Sequence, residues 1–352
     1  MKKSVKAALI TAAALIAVGG VLIGAALFSG VNIAMAARRG DFNLGSVISV
    51  GGYSDLGSDF SPSGEYETSA RGIKRIHIDW DAGEINISSD STANSVTFSE
   101  RTSGGHAPDE DAKLTWGIKD ETLVIQYCGN MPPVTLPSKA LNIVLPLALA
   151  ENLEALRVGS ASANLNIRCG INAGSFDFST SSGVLRADSV AADTVTLDSA
   201  SGDLYLAGSF ESCTASAVSG NVDISGVKTY LEAETTSGDI TVSRCSGELE
   251  LDSVSGDITA QGDFTKADLG STSGDVRFGS GICPLELDVE TTSGDVMVKL
   301  PDDSSFTLEL DTVSGTFLSD FALAAKSGEY ICGSGSNDFE ISTTSGDIFL
   351  SM

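Results

Sequence analysis

The sequence predicts an all-β fold, a parallel β-solenoid built from coils of 18–21 residues and preceded by one transmembrane helix. Three observations predict it. The phrase "LEAETTSGDITV" (Leu231 to Val242) returns as "LELDSVSGDITA", "ADLGSTSGDVRF", "LDVETTSGDVMV" and "FEISTTSGDIFL". Its glycine recurs every 18 residues from Gly202 through Gly220, Gly238 and Gly256 to Gly274, then after 20 at Gly294 and 21 at Gly315. A fixed period near 20 marks a stacked-repeat architecture. Within each copy apolar residues alternate with polar ones, as in half-buried strands. The third observation is a stretch of 31 uncharged residues, 7–37.

That stretch comes first in the chain. About 20 apolar residues span a bilayer as a helix. Lys2, Lys3 and Lys6 precede it and Arg38 and Arg39 follow, so the charge bias places the N-terminus in the cytoplasm and the remainder outside. Residues 1–40 are thus read as a cytoplasmic tip and a single-pass anchor in the cell membrane. The alternative is secretion after cleavage of a signal peptide at Ala34-Met35-Ala36, although the apolar core exceeds the usual signal length. Residues 41–71, rich in glycine, serine and acids, read as a flexible stalk.

Residues 72–157 read as an N-terminal β region capping the solenoid, since stacked repeats need covered ends. "IKRIHIDWDAGEINI" places Ile76, Ile78, Ile85 and Ile87 around Gly83 as a degenerate first copy. Further strands are expected at Val96–Phe98, Leu114–Ile118 and Leu123–Tyr127, with a polar loop from His106 to Asp111. "LNIVLP" (Leu141 to Pro146) reads as a strand buried on both faces.

Residues 158–352 carry the repeats. With the glycine as zero, apolar residues recur at −7, −5, +2 and +4, and serine at −1; around Gly256 these are Leu249, Leu251, Ile258, Ala260 and Ser255. Two strands therefore flank a turn in each coil, and a second turn, such as Cys245-Ser246-Gly247, closes it. Glycine is expected here for its tolerance of positive φ, and serine for bonding local backbone groups. The copy "RVGSASANLNI" has Ala163 in the glycine's place. The last copy ends two residues past Leu350, which leaves an uncovered edge open to end-to-end self-association, unless the insertion around residues 317–335 folds back as a cap.

Beyond residue 40 the chain has 16 basic residues against 47 acidic ones. Such a surface repels nucleic acid and anionic lipid, and attracts divalent cations or basic partners. The six cysteines lack metal-site spacing and read as small buried hydrophobes, with disulfides as the alternative.

The repeated "TTSGDI" and "SVSGDI" phrases, the "VKLPDDSSFTLELDTVSGTF" segment and the closing "GSGSNDFEISTTSGDIFL" resemble a bacterial family. It comprises the membrane-anchored "putative adhesin" β-solenoid domains, a domain of unknown function common in Firmicutes. The resemblance spans residues 73–352. It implies a right-handed parallel solenoid outside the cytoplasmic membrane, at times linked to envelope-stress operons, and it brings no catalytic residues.

One chemical pattern remains, the acid after the glycine: Asp203, Asp239, Asp257, Asp275, Asp295 and Asp347, with Asn221 in the same slot. In register, neighbours stand about 4.8 Å apart and repel by about 0.9 kcal/mol in water. One reading has each carboxylate accept N–H groups of its own turn. The other is a ladder of Ca²⁺ sites on Asp239, Asp257, Asp275 and Asp295, since hard oxygen ligands suit that ion. The two histidines, His77 and His106, have no neighbours that make a nucleophile–base pair, and alternation puts His77 on the outer face. The expected function is a non-catalytic surface adhesin, binding or scaffold module, whose partner in the envelope, matrix or membrane is unnamed. The alternatives are a sensor in envelope-stress signalling and an enzyme acting on polysaccharides.

Overall fold

The computed structural model describes residues 61–128 and 137–352. The transmembrane span expected at 7–37 and the first part of the stalk lie outside the described residues. The described chain is β-strand almost throughout, with one 3₁₀ turn (Glu110–Ala112) and one short helix, α1 (Leu147–Ala150).

The N-terminal strands are β1 (Glu65–Ser69), β2 (Arg75–Asp90), β3 (Ser95–Thr102), β4 (Thr115–Lys119), β5 (Thr122–Gln126) and β6 (Lys139–Pro146). β2 is the first coil. Its Ile76, Ile78, Ile85 and Ile87 are buried and stand in parallel register with Leu156, Val158, Leu165 and Ile167 of β7 (Leu153–Ile167). The opposite edge of β2 pairs with β5 and β6. These are covered by antiparallel strands, β4 on β5, β3 on β6 and β1 on β3. At this end of the parallel stack the strand direction switches to antiparallel.

Two expectations about this region are corrected. The stalk expected to run to residue 71 yields to strand β1 at Glu65, because Tyr66 is buried against Phe98, 5.3 Å between ring centroids. β6 is buried on one face only, with Leu141, Ile143 and Leu145 inside and Asn142 exposed, because β3 pairs along its edge rather than packing on its outer face.

The stack continues through β8 (Ile171–Thr180), β9 (Leu185–Ser199), β10 (Leu204–Ala217), β11 (Val222–Thr235), β12 (Ile240–Ser253) and β13 (Ile258–Ser271). Each long strand runs from one repeat turn, around the second corner, to the next. Identical positions stack: Leu231 on Leu249, Ala233 on Leu251, Ile240 on Ile258, Val242 on Ala260. All eight are buried, which confirms the interior positions −7, −5, +2 and +4. A further interior position at the second corner holds Phe210, Val227, Cys245 and Phe264. Cys128, Cys213, Cys245 and Cys332 are buried, Cys169 and Cys283 half-buried, and all six carry free thiols. Burial holds the Cys245 thiol above its usual pKa, as expected of a packing residue.

After β13 come β14 (Val276–Ser280), β15 (Glu286–Ser293), β16 (Val296–Lys299), β17 (Phe306–Ser314), β18 (Phe317–Ser319), β19 (Ala324–Lys326), β20 (Glu329–Cys332), β21 (Asn337–Ser345) and β22 (Ile348–Ser351). Here chain order and stacking order part. β21 lies between β15 and β17, and β22 between β16 and β18. The final copy is thus slotted inside the stack, and the Gly315 copy ends it. The expectation of an open edge on the last copy is corrected accordingly. The insertion does fold back in part. β20 pairs antiparallel with Phe306–Leu308 of β17, and β19 with β20. Phe339 stacks on Phe306 at 4.5 Å, and Phe321 meets Phe306 edge to face at 5.5 Å, which closes the end of the core.

Candidate functional site

The aspartate ladder is built from the repeat turn. The backbone N–H of Asp257 donates to Asp239 Oδ1 at 3.0 Å, that of Asp275 to Asp257 Oδ1 at 2.9 Å, and that of Asp295 to Asp275 Oδ1 at 3.0 Å. Likewise the Asp239 N–H donates to Asn221 Oδ1 at 3.0 Å, that of Asn221 to Asp203 Oδ1 at 2.9 Å, and that of Asp347 to Asp295 Oδ1 at 2.8 Å. In return the residue after each acid donates its N–H to the carbonyl of the next rung, as Ile240 does to Asp257 O at 3.0 Å. Each carboxylate thus serves the turn of the neighbouring coil rather than its own, which corrects that detail of the sequence reading. A hydrogen bond to a charged acceptor contributes about 1.5–3 kcal/mol, which outweighs about 0.9 kcal/mol of repulsion between rungs. Arg277 neutralises two rungs at once, Nη1 on Asp257 Oδ2 at 3.1 Å and Nη2 on Asp275 Oδ2 at 2.7 Å.

The glycine has a different reason from the one expected. Gly238, Gly256, Gly274 and Gly294 are absent from the positive-φ residues, yet a Cβ on each would come within 1.9–2.1 Å of the carbonyl oxygen of the glycine one coil below. Close stacking excludes a side chain there. Positive φ is used instead at the second corner, by Arg244 and Gly247.

A third element, missed in the sequence, is the hydroxyl at −3. Thr235, Ser253, Ser271, Thr291 and Thr343 are buried. Thr235 Oγ1 accepts the Gly238 N–H at 3.1 Å and donates to Gly220 O at 3.4 Å. Ser199 accepts from Gly202 in the same way at 2.7 Å. The serine at −1 is more constant in sequence, yet it lies at the surface: Ser201 Oγ donates to Ser181 O one coil below, at an exposed position.

For calcium, the Oδ1 atoms of Asp239, Asp257, Asp275 and Asp295 are already engaged by N–H groups. Among the described residues no group of three or more His, Cys, Asp or Glu side chains is placed to hold a metal ion.

The strand before the turn carries a second set of acids on its outward side. Glu232, Glu250, Asp268 and Asp288 stand in adjacent coils in one register column, with Glu234 and Asp252 in the next. The Asp252 carboxyl lies over Gly270, where a Cβ would be 2.3 Å from its Oδ1. Although the residue keeps an open side to solvent, neighbouring side chains desolvate its carboxyl. That effect, with the charges of Asp268, Glu234, Glu250 and Glu232, pushes it up to about 7. Burial and the same kind of crowding raise Glu234 as well. This acidic face was legible only as net charge until the register stacked it.

In the N-terminal cap, Lys139 and Glu100 form a fully buried ion pair at 2.8 Å. Lys139 Nζ also donates to Ala112 O at 2.6 Å and to Tyr127 O at 2.5 Å, and lies 4.0 Å from the Tyr127 ring centroid and 4.7 Å from that of Trp80. Tyr66 Oη and the Leu114 N–H both donate to Glu100 Oε1. Every donor of the ammonium is satisfied, which suits a structural lock rather than a reactive amine. His77, expected at the surface, is half-buried between β5 and β7, and burial with the nearby Arg157 charge pushes it down to about 4.

A family model described as Toastrack DUF4097 matches residues 73–280 and 246–351. Two solved structures are similar over 82% of this chain at 12% identity. One is named a "putative cell adhesion protein" from Clostridium sporogenes, covered over 98% of its length with a TM-score of 0.19. The other is named a "putative adhesin" from Parabacteroides distasonis, covered over 96% with a TM-score of 0.38. No curated protein matches the chain at a significant level.

Proposed function

The chain belongs to the Toastrack DUF4097 family, and from that membership we propose that it is a non-catalytic, membrane-anchored adhesin or scaffold module displayed outside the cell. Its β-solenoid winds right-handed, and the apolar segment 7–37 anchors it in the membrane. The observation that carries this reading is how the repeated residues are spent. Aspartate, glycine and the −3 hydroxyl all go into bonds and close contacts between coils. What varies from coil to coil points outward, and on one face it is acidic. A long rigid rod with a charged face suits reversible binding to basic groups of an envelope, matrix or membrane-protein partner.

The test is binding of the purified 61–352 fragment to peptidoglycan, host matrix proteins and membrane fractions across a salt series. Saturable binding that weakens steeply with salt, with no new reducing ends released from glycans, is the expected result. Release of sugars, or binding to none of these surfaces, would contradict it. Extraction of the full chain from membranes by detergent but not by alkaline wash checks the anchor.

A further inference from the structure

At the C-terminal end of the stack, β18 pairs with β22 on one side, and no described strand pairs with it on the other. The Ile348 N–H donates to Thr316 O, and the Asp320 N–H donates to Leu350 O. Strand alternation therefore turns the backbone groups of Leu318 inward too, and leaves the N–H and C=O of Phe317 and Ser319 on the open side. An unpaired edge of this kind is a template for another strand.

The outward side chains beside this edge are apolar. Met297, Phe349 and Leu318 stand in register across three adjacent coils. Leu318 is 53% exposed and Met297 38%, and Val313 at the neighbouring corner is 80% exposed. The column continues inward with Arg277 and Thr259, so no acid lies on it here. On the other sheet face the equivalent positions are Glu340 and Glu309.

We propose that this edge is a homotypic docking surface, on which β18 pairs antiparallel with β18 of a second copy about a two-fold axis at Leu318. The occupant follows from self-complementarity. With Leu318 on the axis as a pair that is not hydrogen-bonded, Phe317 lies opposite the partner's Ser319, and the free groups of both residues satisfy one another in four bonds. Leu318 meets the partner's Leu318, which extends the apolar stripe across the joint. Asp320 falls opposite the partner's Thr316 rather than another acid, so the register places no like charges face to face. The other end of the solenoid is closed by β1, β3 and β4, which limits the contact to a closed pair instead of a filament. Because both copies are strongly acidic, salt strengthens the contact by screening. Taken with the anchor proposed above, the two N-termini point apart, so the pair would join two surfaces. The pairing itself does not depend on that anchor.

The test uses the full chain in detergent solution, with Leu318→Cys compared against Ile118→Cys, an equally accessible residue (48% exposed) on β4 of the cap. Mild oxidation is expected to link Leu318→Cys into dimers at least about tenfold faster than Ile118→Cys or the unaltered chain, since pairing raises the effective concentration of that thiol. The dimer fraction of the unaltered chain should rise with salt and vanish in Leu318→Lys, whose folding is checked by an unchanged Tm. Equal cross-linking at both positions, a dimer that persists in Leu318→Lys, or one that dissociates as salt rises would each overturn the proposal. The last would instead indicate a basic partner on the acidic face. None of these outcomes bears on the membrane anchor, which the extraction test reads separately.

Discussion

A Cβ on Gly238 would lie 2.0 Å from the carbonyl oxygen of Gly220 in the coil below. Backbone meets backbone there, so neither side can give way. Gly238→Ala is therefore expected to cost about 3 kcal/mol, read as a lower urea midpoint at unchanged slope. Gly270→Ala is the contrast. Its new methyl meets only Asp252 Oδ1, at 2.3 Å, the free end of a side chain that can rotate. A cost within about 0.5 kcal/mol is expected. Equal losses for the two variants would mean that conformational freedom, not close stacking, explains the repeated glycine.

The buried pair in the cap yields a second prediction. Lys139→Met alone strands Glu100, which is wholly enclosed, and should destabilise by about 3–5 kcal/mol. Lys139→Met combined with Glu100→Leu should recover most of that loss, since an apolar pair carries no desolvation cost. Denaturation of the single and double variants gives the coupling directly. A double variant as unstable as the single would show that the remaining contacts of Lys139, to Tyr127 and Trp80, carry the stability.

The acidic face makes stability depend on pH. The folded Asp252 carboxyl titrates at about 7 against 3.8 for the unperturbed group. The folded state holds that proton more tightly, so this contribution is full below about pH 4 and is lost as pH rises through 7. His77 acts in the opposite sense. Its folded pKa near 4, against 6.5, gives stability that is present above about 6.5 and lost as pH falls. Between pH 8 and 6.5 Asp252 therefore dominates the two. With a folded pKa of about 7, about 0.8 kcal/mol falls between pH 8 and 6.5, and solvent on the open side of Asp252 reduces it to about 0.5 kcal/mol, a rise in Tm of about 1–2 °C on acidification. Asp252→Asn should flatten this rise, and His77→Gln should remove the loss below pH 6.5. A Tm that falls from pH 8 to 6.5 in the unaltered chain would contradict the assignment.

Much of this architecture was legible in the sequence because a period of 18 and alternation of two act together. Ile76, Ile78, Ile85 and Ile87 were placed in a first coil from pattern alone, and the structure buries all four. The order of the last coils was not legible. Repeat content says that residues 339–350 form a coil, but the slot between β15 and β17 depends on the insertion around residues 317–335, which widens the glycine spacing to 31 and can carry the chain past one coil. The ladder's residue types were likewise visible, whereas the bond from Asp239 to the next coil is a relation across 18 residues that local turn rules do not describe. The Lys139–Glu100 pair left no signal, because its partners lie 39 residues apart in irregular sequence.

The central claim is that the repeated aspartate is a hydrogen-bond acceptor holding coil to coil, and the most direct test is the stability of Asp239→Asn beside Asp239→Ala, each with calcium and with a chelator. Asparagine keeps the Oδ1 acceptor, as Asn221 already does one rung earlier. Asp239→Asn is expected to stay within about 0.5 kcal/mol of the unaltered protein, and Asp239→Ala to lose about 1.5–3 kcal/mol, with calcium moving none of the three midpoints. Equal losses for the two variants, together with a midpoint that calcium raises only in the unaltered chain, would contradict the account and identify the ladder as a cation site.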